Sequence, residues 1–246
     1  MRVGTERFSD RVDDYDRFRP NYPSAIIDAV LEGFDAPVVA DIGAGTGISS
    51  HQCARAGARV FAIEPNDAMR AAIRPKPGIE VIAGRAEATT LAPQSVDVVA
   101  AFQAFHWFDR ELALTEFTRI ARRPGRFAAV WNHRDRDDAF TRAYDAIVAK
   151  HGERVNEIDR SRRASGVLDA FVQAGATSTR MLHVAHRQRL AWEELLGFVR
   201  SCSYLPRQGQ AYEALERDLF GLFEREAQGG VVAISWIAEA HLGDRQ

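Results

Sequence analysis

The chain has 246 residues, 46% of them apolar and 27% charged, which suits a packed globular protein and excludes disordered, collagenous and coiled-coil classes. Its 32 basic residues stand against 34 acidic ones, so the formal charge of -2 lacks the basic excess with which proteins neutralise nucleic-acid phosphates. No apolar run approaches the roughly 18 residues of a membrane span, and the charged opening stretch has no apolar signal-peptide core. A cytoplasmic protein with neither a nucleic-acid nor a membrane partner is expected. Cys53 and Cys202 each lack a second cysteine nearby, so neither a redox pair nor a metal site is expected.

In chain order, Phe8 to Arg19 is charged with isolated aromatics and is not expected in the core. Tyr22-Pro23-Ser24 leads into a helix over Ala25–Leu31. From 37 to 132 short β-type runs alternate with helical patterns, which predicts crossover units and a mainly parallel sheet. The expected strands are Pro37–Ile42, Arg59–Ile63, Ile79–Ala83, Val96–Ala101 and Arg126–Asn132. The helices between them, Ile48–Ala56, Asp67–Ile73 and Asp109–Ala121, are each broken soon afterwards by Gly57, Pro75 or Pro124. A polar helix follows at Asp137–His151, then an arginine-rich stretch from Arg160 to Arg163 and a helix at Val167–Gln173 closed by Gly175. A strand at Thr179–Leu190, helices at Trp192–Ser201 and Tyr212–Glu226, and a strand at Val231–Ala238 complete the chain. The last two strands would pair antiparallel at one sheet edge, and the helices between them would form a lid inserted in a single domain.

The most informative stretch is Asp41-Ile42-Gly43-Ala44-Gly45-Thr46-Gly47, where an apolar strand runs through three alternate glycines into a helix. Glycine there permits dihedrals closed to other residues and lets a ligand approach the main chain. A nicotinamide fingerprint would place a glycine at 48, where this chain has Ile48, so an oxidoreductase using NAD(P) is a remote alternative. Glu64 ends the next strand, where a carboxylate accepts hydrogen bonds from the vicinal hydroxyls of a ribose. The bland alternative makes Glu64 a solvated turn residue beside Pro65 and the glycines a tight connection.

These residues resemble the class I S-adenosylmethionine-dependent methyltransferases. Asp41 to Gly47 is similar to that family's first motif, Glu64 to its ribose acid, and Gly84-Arg85-Ala86-Glu87 to its loop beside the adenine. The likeness continues through Ser95 to Val99 and Arg123 to Phe127, although Arg85 stands where many relatives carry an acid. Phe102 to Asp109, Tyr15 to Pro23 and Ser201 to Tyr204 resemble a subgroup that includes trans-aconitate methyltransferase-like and methyltransferase type 11 proteins. The resemblance implies a Rossmann-like, doubly wound α/β fold with a mostly parallel seven-stranded sheet, an antiparallel last strand and a helical lid. Residues 1–36 would be N-terminal cap helices, 37–132 the cofactor-binding core, and 133–246 a C-terminal part with its lid at about 191–228.

The implied activity is methyl transfer from S-adenosylmethionine to a small-molecule acceptor, with a carboxylate or hydroxyl oxygen first. Nitrogen or carbon acceptors, or a non-catalytic binding module, are the alternatives. Cofactor contacts are expected from Asp41, Gly43, Ala44, Gly45, Gly47, Glu64, Pro65, Ala86, Glu87 and Gln103. Arg19 would pair with the methionyl carboxylate and Tyr15 would cover the sulfonium if their segment folds over the cofactor, or else they lie on a surface helix. His106 is the candidate general base and otherwise a packed imidazole. Trp107, Asn132, His133, Ser203 and Tyr204 are candidate walls of the acceptor pocket. The sequence leaves the oligomeric state open.

Overall fold

The computed structural model of the chain describes residues 12–152 and 165–246; the Arg160 to Arg163 stretch and the start of the Phe8–Arg19 segment lie outside them. Seven strands, β1 (Val38–Ile42), β2 (Arg59–Ile63), β3 (Ile79–Ile82), β4 (Val96–Phe102), β5 (Ala121–Arg134), β6 (Ser178–Leu190) and β7 (Val232–Arg245), form one sheet of order β3-β2-β1-β4-β5-β7-β6. Strands β1 to β5 pair in parallel, while β7 runs antiparallel to both β5 and β6. The order reverses between β1 and β4, which opens a crevice at the carboxyl ends of those strands.

Period-two alternation places the residues of the central strands on two faces. Ala40, Ile42 and Ile63 join Phe105, Phe117, Trp131 and Phe171 on one face, while Val39, Val60 and Val98 join Ile26, Ile27 and Val30 on the other. The helices covering the sheet are α2 (Ser24–Leu31), α3 (Ile48–Arg55), α4 (Asp67–Ala72), α5 (Arg110–Ile120) and α7 (Val167–Gln173). A third apolar cluster joins α6 (Ala139–His151), α8 (Trp192–Ser201) and α9 (Gly209–Glu226) through Tyr144, Phe198, Leu215 and Leu219.

Two strands are longer than the apolar pattern predicts. β5 pairs with β7 from Gly125↔Arg245 to Arg134↔Trp236, so the polar end Gly243-Asp244-Arg245 is strand rather than tail. Arg126 explains how: 6% exposed, it donates to Asp244 at 2.5 Å and to the carbonyls of Ala29, Val30 and Glu32 at 2.9, 3.2 and 2.9 Å. A charge so fully bonded is tolerated in the interior.

Helix α1 (Val12–Phe18) stays out of the core, as expected, but one side of it is packed. None of its residues is fully buried, yet Phe18 packs against the lid cluster and faces Gly197 of α8 so closely that a Cβ there would overlap its ring. Asp16 binds Arg74, beyond α4, at 2.8 Å, and Asp14 lies 3.6 and 3.5 Å from Arg200 and Arg207 of the lid. The helix is thus a strap between the two sides of the crevice. Gly197→Ala should displace Phe18 and undock α1 with little change to the sheet, because a ring at a helix end moves more easily than a core side chain. Hydrogen exchange should show faster α1 amides beside unchanged β4 and β5; equal protection in both proteins would refute this seat for Phe18.

Candidate active site

The loop after β1 is set by its backbone. Gly43, Gly45 and Gly47 have φ of 72°, 60° and 86°, all in the left-handed region. A Cβ on Gly43 would lie 2.7 Å from the Cβ of Ala104, an atom fixed to its own backbone, so this position has no room for another residue. The amides of Gly43 and Ala44 donate to the Ile63 carbonyl at 2.8 and 3.0 Å, clamping the loop to β2.

Glu64 extends that clamp. One carboxylate oxygen accepts from the Gly45 amide at 2.9 Å and the other from the Asn66 amide at 2.8 Å, with the residue 7% exposed. Burial raises its pKa above the ordinary carboxylate value, although both amides act in the opposite direction. Each oxygen still has a second acceptor direction. Pro65 follows, and Asn66 caps α4 by accepting from the Met69 amide at 2.9 Å.

Asp41, fully buried on β1, accepts from the hydroxyls of Ser49 and Ser50 through Oδ2 at 2.7 and 2.6 Å. Its Oδ1 has no partner, nor has the hydroxyl of Thr46 in the loop. A buried polar atom left in this way is a place that a water or a ligand group can complete. Burial raises the Asp41 carboxyl to about 6. The serines that share Asp41 were not foreseen, although Ser49-Ser50 directly after the loop was the available signal.

The loop after β3 keeps Ala86 buried and Arg85 exposed, and Glu87 accepts from the Asp109 amide at 3.0 Å, which fixes the loop against the start of α5. At the end of β4, Gln103 has φ of 58° and donates its side-chain amide to the Asn132 carbonyl at 2.9 Å. Asn132 in turn donates to the Asn21 carbonyl at 3.2 Å and meets His186 Nε2 at 2.9 Å through Oδ1. Gln103 and Asn132 therefore stand together at the crevice, tied to the segment between α1 and α2.

Beside them, Trp131 Nε1 donates to His106 Nδ1 at 3.3 Å. Indole nitrogen only donates, so Nδ1 is the unprotonated atom, and in the neutral ring the proton sits on Nε2. Trp107 is 48% exposed beside the His106 ring, and His133 is half-buried with Nε2 4.0 Å from Glu239. On the lid side, Tyr204 Oη accepts from Arg134 at 3.2 Å, while Ser203 is half-buried beside it. Arg19 lies against the lid, donating to the Ser201 carbonyl at 3.1 Å, with its guanidinium 4.9 Å from the centre of the Tyr15 ring. Trp131 and Tyr144, both fully buried, were not foreseen: the apolar run around Trp131 looks like plain core, and Tyr144 lies on a helix that reads as polar.

Among the described residues no group of three or more metal-ligating side chains is placed to hold an ion, and no helix is long and apolar enough to cross a membrane. A glycine loop seated at the switch point of such a sheet defines the class, a doubly wound α/β protein that takes its ligand at the strand ends. Residues 40–129 match the family described as a methyltransferase domain. An uncharacterised methyltransferase of Mycobacterium tuberculosis (strain ATCC 25618 / H37Rv) is 36% identical over 154 residues, 61% of this chain and 62% of that protein. An uncharacterised methyltransferase-like protein of Schizosaccharomyces pombe is 34% identical over 143 residues, 54% of each. The chain thus spans between about a half and three fifths of the length of these curated relatives. The solved structure of a type II methyltransferase candidate from Anaeromyxobacter dehalogenans superposes with a TM-score of 0.70 at 27% identity, covering 92% of this chain and 98% of that one. Over residues 40–129 the chain is thus similar to methyltransferase domains, and its whole fold resembles that of the Anaeromyxobacter dehalogenans protein.

The raised Asp41 pKa sets a pH dependence. A carboxyl that holds its proton more tightly when folded contributes stability that is full below its ordinary value of 3.8 and lost as the pH rises through about 6. The ionised group then opposes folding by about 3 kcal/mol. Urea unfolding between pH 4 and 7 should show this decline in the native chain and a flatter profile in Asp41→Asn; superimposable profiles would refute the assignment.

Proposed function

We propose that this chain binds S-adenosylmethionine at the β1 loop and transfers its methyl group to an oxygen of a small molecule, in one catalytic unit with α8 and α9 as the lid. The observation that carries the reading is the unpartnered Asp41 Oδ1 beneath a glycine loop with no room for a Cβ at Gly43. Gly43, Ala44, Gly45 and Gly47 with Asp41 would hold the amino-acid end. Glu64 would accept the ribose hydroxyls on its two remaining lone-pair directions, with Pro65 beside it, and Ala86 and Glu87 would border the adenine. Gln103 closes the loop side of the crevice through its bond to Asn132.

When bound, the cofactor supplies an electrophilic methyl on a positively charged sulfur. The protein's part is to align the acceptor and keep water out. Trp107, His106, Asn132 and His133 at the ends of β4 and β5, with Ser203 and Tyr204 from the lid, would form the acceptor walls. His106 acts in this reading as a donor through Nε2, since Trp131 occupies Nδ1. No base then stands ready at this atom, which favours an acceptor already deprotonated at neutral pH, a carboxylate ahead of a hydroxyl.

Calorimetric titration should show binding of S-adenosylmethionine and S-adenosylhomocysteine, and Glu64→Gln should weaken both by about 1–3 kcal/mol, the scale of hydrogen bonds to a charged group. Absence of heat with either ligand would overturn the reading. For an acceptor found by mass-spectrometric screening for gain of one methyl, His106→Gln should retain turnover within about tenfold because its amide replaces the Nε2 donor, while His106→Ala loses more. Equal losses would instead make His106 a base.

A further inference from the structure

We propose that Arg19 anchors a carboxylate at the lid, and that the methyl acceptor supplies it; this rests on the function proposed above. Arg19 is enclosed by α1, α8 and the segment leading to α2. Its Nη2 reaches the Ser201 carbonyl at 3.1 Å and the Cys202 sulfur at 3.7 Å, and its Nε is buried without a partner. Among the described residues no carboxylate lies within ion-pair distance of it. The rings of Tyr15 and Phe198, 4.9 and 5.6 Å from its guanidinium carbon, offset only part of the burial. Taking a guanidinium out of water without an anion is a standing penalty of several kcal/mol, the kind that a bound anion relieves.

A second cation stands nearby: Arg134 pairs with Asp145 and donates to the Tyr204 hydroxyl. The charges of Arg19 and Arg134 both act on the phenols of Tyr144 and Tyr204, so the four groups form one cluster. Burial raises both phenols above their ordinary value, so they keep their protons and remain donors. The Tyr144 hydroxyl is itself buried without a partner. Arg19 Nε and the Tyr144 hydroxyl are thus two buried donors without an acceptor.

Room and position fit a small acid. Arg19 borders a cleft of about 340 Å³ shared with Asn21, Tyr22, His186 and Gln188. Asn21 and His186 are the partners of Asn132, so the wall of this cleft is also a wall of the crevice where Gln103 stands. A carboxylate paired with a guanidinium is a poor nucleophile, because the ion pair withdraws its electrons. The group held by Arg19 is therefore an anchor, and a second oxygen of the same molecule attacks the methyl.

The other source of a carboxylate is the methionyl end of the cofactor, and one titration series separates the two. The full chain, saturated with S-adenosylhomocysteine, is titrated with succinate at constant ionic strength against a chloride control. Succinate should bind and raise the melting temperature. Arg19→Gln should weaken succinate at least tenfold while changing S-adenosylhomocysteine affinity less than twofold. Tyr144→Phe, which keeps the ring and removes only the unpartnered hydroxyl, should weaken succinate about threefold or more and guards against misfolding of the arginine variant. A tenfold loss of S-adenosylhomocysteine affinity in Arg19→Gln would assign the arginine to the cofactor and overturn the proposal. So would the absence of succinate binding in a protein that binds S-adenosylhomocysteine, or equal succinate affinity in all three proteins. Failure to bind S-adenosylhomocysteine at all would strike the proposed function itself.

Discussion

The carboxylate of Glu64 joins two strand ends that would otherwise carry unsatisfied amides into a ligand crevice. It accepts from Gly45 in the loop after β1 and from Asn66 at the start of α4, so both sides of the crevice take their position from one buried acid. Such an arrangement is costly alone, as its raised pKa shows, and is maintained because the fold around it is already committed. The loop cannot relax away, since Gly43 and Ala44 are bonded to Ile63 and Ala104 presses against Gly43. Strain, burial and hydrogen bonding converge on the residues that approach a ligand, and the rest of the sheet serves to hold them there.

The opposite wall has a different origin. It is assembled from segments distant in sequence: Arg19 and Tyr15 from the start of the chain, Arg134 from the end of β5, Tyr144 from α6, and Tyr204 after α8. The strap α1 brings the first of these across by ion pairs at both ends, Asp16 with Arg74 and Asp14 with Arg200 and Arg207. Pairs at least partly exposed contribute little each. The seat of Phe18 against Gly197, a single ring on a single glycine, is the stronger tie.

Much of the first wall was legible in the sequence because its signals are local. Three alternate glycines after an apolar strand and an acid at the next strand end are read within a few residues, and the bounds of β2, α7 and α8 agree with the observed ones to the residue. The second wall was legible only in part, because its meaning lies in partners rather than spacing. Tyr15, Arg19 and Tyr204 stand out in the sequence as candidate contacts, but nothing local shows that Arg19 packs against Ser201 and Cys202 with its Nε left without a partner. Tyr144 sits on a helix whose composition is polar, and its burial follows from contact with α8. The extension of β7 to Arg245 was hidden for the same reason, since Asp244 becomes strand material only once Arg126 lies opposite.

The Trp131 to His106 bond fixes which atom the imidazole presents to the crevice. An imidazole whose Nδ1 accepts from indole presents a hydrogen, rather than a lone pair, on its other nitrogen. In the function proposed above, a site with donors on the β4 side and unsatisfied donors at Arg19 and Tyr144 on the lid side would match an acceptor rich in oxygen lone pairs. Methyl transfer to such an oxygen needs alignment and exclusion of water more than proton removal. On that proposal the same surroundings would hold a cationic amine badly, because Arg19 and the sulfonium would carry its sign, and charge would discriminate between acceptors before any contact with the attacking atom is made.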